Sequence, residues 1–397
     1  MVSQGSGEKI FTKNFMAVAV INFLIMLAYY LLFVVTGPYV QERFLASPST
    51  SGLVAGLMVL GSFLGRFLSG YFIGVFGARK SLLTGILIYC AGMAMYVPAG
   101  SLLVFFIVRL ISGIGIGCIN TVTGTVIAHI LPEKRRGLGI SYFSLSTVIA
   151  LALGPFLGLL MQNYTTFQVM FLCCLAGGLI SLAVALFLSL DKEVPATAKV
   201  GETSLLNMNN YLDSRVVLFG IFVMIVGASY GNVQAFMSGY AKEINMVDSA
   251  SMFFLVYALT VFLTRPYTGK VFDMHGEHRV FYPALVLLTL GLLTLSFATS
   301  TFMMIVAGAF VGAGFGNILS IGQAVSLKLV PRHRFAQATS TFYVLLDCGV
   351  GFGPYFFGFL VPVVGYQGMF FVSTFTALVG IPLYYFLHAR RKFVAPE

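Results

Sequence analysis

Apolar runs alternate with short polar stretches along the whole chain, at about 15–35, 51–74, 81–98, 102–128, 138–161, 167–189, 215–239, 249–269, 279–297, 302–328, 337–361 and 368–388. Each is close to the ~20 residues a helix needs to cross the hydrocarbon of a bilayer. The longest polar stretch runs from Leu190 to Asp213 and holds Asp191, Lys192, Glu193, Lys199, Glu202 and Asp213. It parts the runs six from six. The pattern predicts an all-α membrane protein of twelve transmembrane helices: a first bundle over 1–190, a linker over 191–213 and a second bundle over 214–397. The first run is too long for a signal-peptide core and no small-residue cleavage site follows it, so it is expected to remain as the first helix.

Composition agrees and removes the soluble alternatives. Hydrophobic residues make up 58% of the 397 positions and charged residues only 9%, against about 25% charged in a soluble domain. The net charge of +10 does not point to nucleic acid, because Lys and Arg sit at the ends of the runs. With the N-terminus in the cytoplasm, 18 of the 23 fall in cytoplasmic tails and loops; Arg43 and Lys242 fall outside, and Arg66, Arg109 and Arg265 lie in helices or at their ends. That asymmetry is the positive-inside pattern and places both termini in the cytoplasm of a plasma-membrane protein. Cys90, Cys118, Cys173, Cys174 and Cys348 all lie inside apolar runs, so packing is expected of them and no disulfide, metal site or cofactor.

The two halves repeat each other. An offset of 199 residues aligns Arg66 with Arg265, Gly70 with Gly269, Gly77 with Gly276, Gly113, Gly115 and Gly117 with Gly312, Gly314 and Gly316, Pro132 with Pro331, and Gly154-Pro155 with Gly353-Pro354. Matched Arg, Gly and Pro landmarks at one register, loops included, mark an internal duplication. Repeats of this kind place a substrate site at their interface near the membrane midplane.

At these residues the sequence resembles the major facilitator superfamily over essentially its whole length. The family's loop between helices 2 and 3 follows Gly-x-x-x-Asp-x-x-Gly-Arg-Arg/Lys. Here Gly70, Gly77, Arg79 and Lys80 match it, while Gly74 stands where the acid belongs; the second half keeps the acid in Arg265, Gly269, Asp273 and Gly276. The resemblance implies two pseudo-symmetric bundles, gating by these loop residues, and Asp273 serving alone as the acidic latch. Helix 4 resembles the family's Arg-x-x-x-Gly-x-Gly pattern through Arg109, Gly113 and Gly115. Helix 5 resembles the Gly-x-x-x-Gly-Pro-x-x-Gly pattern of the drug–proton antiporter branch through Gly154, Pro155 and Gly158, with Ala150 in place of the first Gly. For Gly154 and Pro155, a bend and close helix packing is the plainer reading beside gating.

A charge in the hydrocarbon costs about 2.5–3.5 kcal/mol even on the lenient insertion scale. Twelve of the thirteen acids fall in loops, tails or helix ends; the exception is Asp347 in helix 11. Its expected role is proton coupling, with a structural acid bonded inside its own bundle as the alternative. For Arg109, deep in helix 4, the resemblance implies coupling through a carboxyl group or the substrate, and pairing with a carbonyl near the outer face is the alternative. Arg66 and Arg265, read as lying near cytoplasmic helix ends, are expected to pair with loop acids as gates. In the family's fold helices 1, 4, 7 and 10 line the cavity, which nominates Asn22, Tyr29 and Tyr30, Asn120 and Thr123, Asn232 and Gln234, Asn317 and Gln323. Any one of them could equally serve a helix–helix hydrogen bond.

No Gly-x-x-x-x-Gly-Lys-Ser/Thr pattern for ATP occurs, so a gradient is expected to drive the cycle. One proton falling through 100 mV releases about 2.3 kcal/mol, enough for a roughly fifty-fold gradient of cargo. The sequence thus predicts a transporter rather than an enzyme, working as a monomer in the lipid bilayer by alternating access. The expected reaction is proton-coupled efflux (antiport) of a small amphipathic or cationic substrate. Proton-coupled uptake or uniport of a nutrient such as a sugar is the alternative within transport; a non-transporting sensor or scaffold is the alternative outside it.

Overall fold

A computed structural model describes residues 10–132, 136–188, 190, 212–331 and 334–390. Every apolar run becomes a helix. In the first half these are α1 (Lys13–Phe44), α2 (Pro48–Phe76), α3 (Ala78–Tyr96), α4 (Leu102–Ile130), α5 (Arg136–Tyr164) and α6 (Phe167–Leu186). In the second they are α7 (Ser214–Glu243), α8 (Val247–His275), α9 (His278–Ser296), α10 (Thr301–Lys328), α11 (Phe335–Gly358) and α12 (Val361–Ala389). Ten are long and apolar enough to cross a membrane by length and composition. The other two are α3, with Arg79 and Lys80 in its first turn, and α11, diluted by Gln337, Thr339, Ser340, Thr341 and Asp347. The linker expected over 191–213 lies outside the described residues except for Leu212 and Asp213.

Local chemistry sets the helix ends, and the duplication shows in it. Ser101 and Ser300, 199 residues apart, cap α4 and α10 by accepting hydrogen bonds from the amides of Val104 and Met303, each at 3.3 Å. Such caps stabilise a helix by about 1 kcal/mol. Gly77 and Gly276 end α2 and α8 with φ of +79° and +81°, and each donates its amide to a carbonyl four residues back at 3.0 Å. A side chain is strained in that conformation, which explains why the glycine recurs in both halves. At the start of α7, Asp213 accepts from the Arg215 amide at 3.0 Å and pairs with Arg334 at 2.9 Å.

The buried apolar side chains form two clusters. One comes wholly from α1–α6 and the segments beside them, with Ile21, Ile25, Ile86 and Phe105 among its fully buried members. The other comes mainly from α7–α12, and the first half adds Phe33, Val34, Ala55, Val59, Leu151 and Leu159 to it. The repeated Gly-x-Gly runs serve close packing: Gly113 and Gly117 let α4 meet α2, and Gly312 lets α10 meet the Tyr257 backbone of α8. The run is regular helix in α4 but a π turn over Gly312–Gly316 in α10, where Phe315 stacks on Tyr230 with centroids 4.1 Å apart. The helix starting at Val361, seven residues before the apolar run predicts, is interrupted at Gly365, where φ is +71°.

Candidate functional site

Helices α2 and α11 run antiparallel along the boundary between the halves. One end of the molecule carries Ile10 and Arg390 and is called the terminal end here; the other, with the α1–α2 and α7–α8 turns, is the distal end. From the distal end inward, Ser49 faces Gly358, Gly52 faces Pro354, and Gly56 and Val59 face Gly351. The seam finishes at an ion pair, Arg66 Nη1 to Asp347 Oδ2 at 2.9 Å. Arg66 lies about 15 Å along the axis from the end of α2, and Asp347 about 18 Å from the start of α11, at ~1.5 Å per residue. The side chains are 27% and 19% exposed, so water reaches both. Asp347 therefore has its partner in the other half, and not within its own bundle.

An aromatic and polar shell surrounds the pair. The Tyr343 hydroxyl donates to Gln323 Oε1 at 3.0 Å, and the guanidinium of Arg66 lies 5.8 Å from the Tyr343 ring centroid, within the range of a cation–π contact. Tyr29 and Tyr30, packed edge to face at 5.0 Å, lie within electrostatic reach of Asp347. Arg265 of α8 lies within reach of Tyr343 and Tyr257. Of the proposed cavity residues, Tyr29, Tyr30 and Gln323 thus gather here.

The others take different places. Asn22 donates to Ser146 at 2.8 Å and Thr147 at 2.9 Å, tying α1 to α5. Asn232 donates to Ser373 at 2.9 Å, and Asn317 bridges to Thr264 at 3.1 Å and Thr268 at 2.7 Å. All three are buried helix–helix links inside one half. Thr123 turns back to the Ile119 carbonyl at 2.8 Å, Asn120 reaches the Met26 sulfur at 3.6 Å, and Gln234 is buried in α7. Arg109 is fully buried among α2, α3 and α4, donating to the Val54 carbonyl at 3.0 Å and to the Tyr96 hydroxyl at 3.5 Å. It does not join Asp347.

The loop residues also differ from expectation. Arg66 and Arg265 sit within their helices, and Arg66 meets Asp347 rather than a loop acid, because α2 runs on for another ten residues to Phe76. Arg79 donates to the Leu186 carbonyl at 3.1 Å, fastening α3 to α6, and Lys80 is exposed. Gly70 and Gly269 lie in the last turns of α2 and α8. Asp273 is exposed and has no ion pair among the described residues. Gly154 fits against Tyr30 and Leu31, and Gly158 against Leu31 and Val35, so the stretch with Pro155 packs α5 on α1.

An acid that sequence reasoning passed over holds the terminal end of the second half together. Glu277 follows the loop glycine Gly276 and lies 3.6 Å from His388 of α12 and 3.5 Å from Lys328 of α10. The hydrogen bond with His388, helped by a backbone hydrogen bond and the charge of Lys328, outweighs burial and holds its carboxyl well below the ordinary 4.5, at about 2. A depressed carboxylate adds stability above its unfolded value and loses it as pH falls through the folded one. The wild-type protein in detergent is therefore expected to lose thermal stability between about pH 4.5 and 2. Glu277→Gln is expected to lower the melting temperature at pH 7 and flatten that acid limb; parallel curves for the two proteins would sink this reading. The only signal in sequence was an acid beside the repeated loop glycine.

Apart from the Arg66–Asp347 pair, the hydrogen bonds and ion pairs that join the halves among the described residues gather at the distal end. Gln41 contacts the Tyr366 hydroxyl at 3.2 Å, Asn163 donates to Asp248 at 3.2 Å, Ser238 donates to Gln162 at 2.9 Å, and Lys242 pairs with Glu42. A twelve-helix molecule with duplicated halves, joined by polar contacts at one end and by an ion pair midway along its helices, has the build of a membrane transporter. The comparisons agree. The family model of the Major Facilitator Superfamily matches residues 18–247 and again 217–396, and the chain belongs to that family. It is 25% identical over 342 residues to an uncharacterized MFS-type transporter of Methanocaldococcus jannaschii, covering 84% of this chain and 88% of the relative. It is 24% identical over 376 residues to monocarboxylate transporter 2 of Mus musculus, covering 86% and 76%. Among solved structures, a point mutant of the nucleoside transporter NupG superposes with a TM-score of 0.79 over 94% of this chain and 99% of that one, at 14% identity.

Proposed function

We propose that this transporter is proton-coupled, with Asp347 as the proton acceptor and Arg66 as its counter-ion. The observation that carries this reading is the ion pair itself. It joins one helix of each half about midway along both, with each side chain partly open to water. Ionised Asp347 draws the halves together through Arg66. A proton on Asp347 removes that attraction, so the charge state of one group biases which end of the molecule is open. This is what alternating access requires of a coupling group. The positive-inside count supports a cytoplasmic terminal end, and on that reading the contacts at the distal end close the outer side.

Similar proteins differ in the cargo their names give, a monocarboxylate in one and a nucleoside in another, so cargo is read from this chain's own residues. The aromatic shell of Tyr29, Tyr30 and Tyr343 suits a small amphipathic molecule. Export by antiport is the second reading, favoured by the Gly154-Pro155 pattern of α5. The test is flux in reconstituted vesicles under a pH gradient of either polarity. Coupled transport requires cargo to accumulate on one side and to reverse when the gradient is reversed. Cargo moving against the inward proton gradient would identify antiport, and cargo moving with it symport. Indifference to pH would leave uniport and end the coupling reading, and absence of flux would favour the sensor.

A further inference from the structure

The duplication breaks its own symmetry at the charged site. Arg66 of α2 and Arg265 of α8 are equivalent under the 199-residue offset, and each lies ten residues before its helix ends, at Phe76 and His275. The partner of Arg66 is Asp347 of α11. The position equivalent to Asp347 is Val148 of α5, which packs against the core of the second half. Arg265 is left without an acid: among the described residues it has neither an ion pair nor a side-chain hydrogen bond. Arginines within a membrane pair or face a water-filled path and mark substrate sites by default. Arg265 is half-buried, and Tyr343 lies within electrostatic reach of both arginines. Arg66, Arg265 and Asp347 together carry +1, which repels a cation.

We infer that Arg265 is the cargo-binding group and that the cargo is a small organic anion, a carboxylate held by the guanidinium beside Tyr343 and Tyr257. The duplicated arginines have divided the work: one keeps its acid and handles the proton, the other has lost it and handles the anion. This rests on the coupling reading above and deepens it. Tyr343 lies within electrostatic reach of Asp347 as well as of both arginines, so protonating Asp347 removes the negative charge beside that shell and favours an anion there; proton and anion then bind together and move in the same direction. The cargo is then an amphipathic anion, carried by symport.

The test is binding to the purified full-length protein, read as thermal stabilisation at pH 8 by acetate, lactate and benzoate, with benzamide and benzylammonium as neutral and cationic counterparts of benzoate. At least one carboxylate is expected to stabilise the protein saturably, and the two counterparts are not. Arg265→Gln should weaken that binding by more than about ten-fold, equivalent to ~1.4 kcal/mol, and Arg265→Lys by less because it retains the charge. Val148→Asp, which supplies the missing acid, should abolish binding while the Arg66–Asp347 pair remains. Stabilisation by benzylammonium or benzamide in preference to benzoate, by none of the carboxylates, or unchanged in a folded Arg265→Gln protein would overturn the inference. Vesicle flux separates the two proposals: Arg265-dependent binding without any response to a pH gradient would sink the coupling reading and leave the anion site standing.

Discussion

Asp347→Asn is expected to abolish proton-driven accumulation of cargo while leaving the protein folded and exchange of cargo running. The asparagine matches the carboxylate in size and can still accept a hydrogen bond from Arg66, but it cannot take up a proton. The pair is 27% and 19% exposed, so water can solvate Arg66 once its counter-ion has gone, and the cost of an orphaned buried charge is reduced accordingly. Under one unit of pH gradient, electroneutral one-proton coupling sustains about ten-fold accumulation; the variant should sustain none. Exchange of labelled for unlabelled cargo at equal pH needs no net proton movement and should persist. Arg66→Gln separates coupling from simple structure: it leaves the carboxyl in place without its counter-ion, so coupling should survive with a displaced pH dependence. Undiminished accumulation by a folded Asp347→Asn protein would reject Asp347 as the proton acceptor.

The elements of this fold were plain in the chain because each crossing helix must be an apolar run, and an offset of 199 carried caps, loop glycines and packing glycines together. Helix ends were less plain. Hydropathy places the end of the first run near Val35, yet α1 continues through Gln41, Glu42 and Arg43 until Leu45 adopts a left-handed conformation with φ of +53°. Asp347 stood out as a lone acid in an apolar run, but its partner did not, because the loop motif drew attention to the terminal end of α2. Pairing Arg66 with Asp347 requires the register between halves, which is a tertiary fact. The same holds for Glu277 and His388, brought together by packing across more than a hundred residues. Asn22, Asn232 and Asn317 were polar in the right helices but turned to neighbouring helices in their own halves; hydropathy does not tell a cavity face from a packed one.

Enlarging a glycine in the seam between α2 and α11 should stall the transport cycle without unfolding either half. A Cβ on Gly56 would lie 2.8 Å from the Gly351 carbonyl oxygen, and one on Gly52 would overlap the Pro354 carbonyl. The obstruction is backbone in both cases, so no rotamer relieves it. The first half has an apolar cluster wholly its own and the second cluster is built mainly from α7–α12, so the clash falls chiefly on the state in which the distal ends are closed. Overpacking of this kind costs about 1–3 kcal/mol, which is a shift of roughly 5- to 150-fold toward the open distal end and a comparable fall in transport rate at Gly56→Leu. The shift can be read directly at Glu42 and Lys242, which pair across the same end. With the native cysteines replaced, Glu42→Cys with Lys242→Cys should be joined by a short bifunctional reagent, and that link should itself arrest transport. Adding Gly56→Leu should lower the yield of the link in step with the loss of transport. Normal transport and normal linking in the Gly56→Leu protein would mean that the seam tolerates the bulk, and closure at the distal end would then have to depend on the polar contacts around Gln41, Asn163 and Ser238 instead.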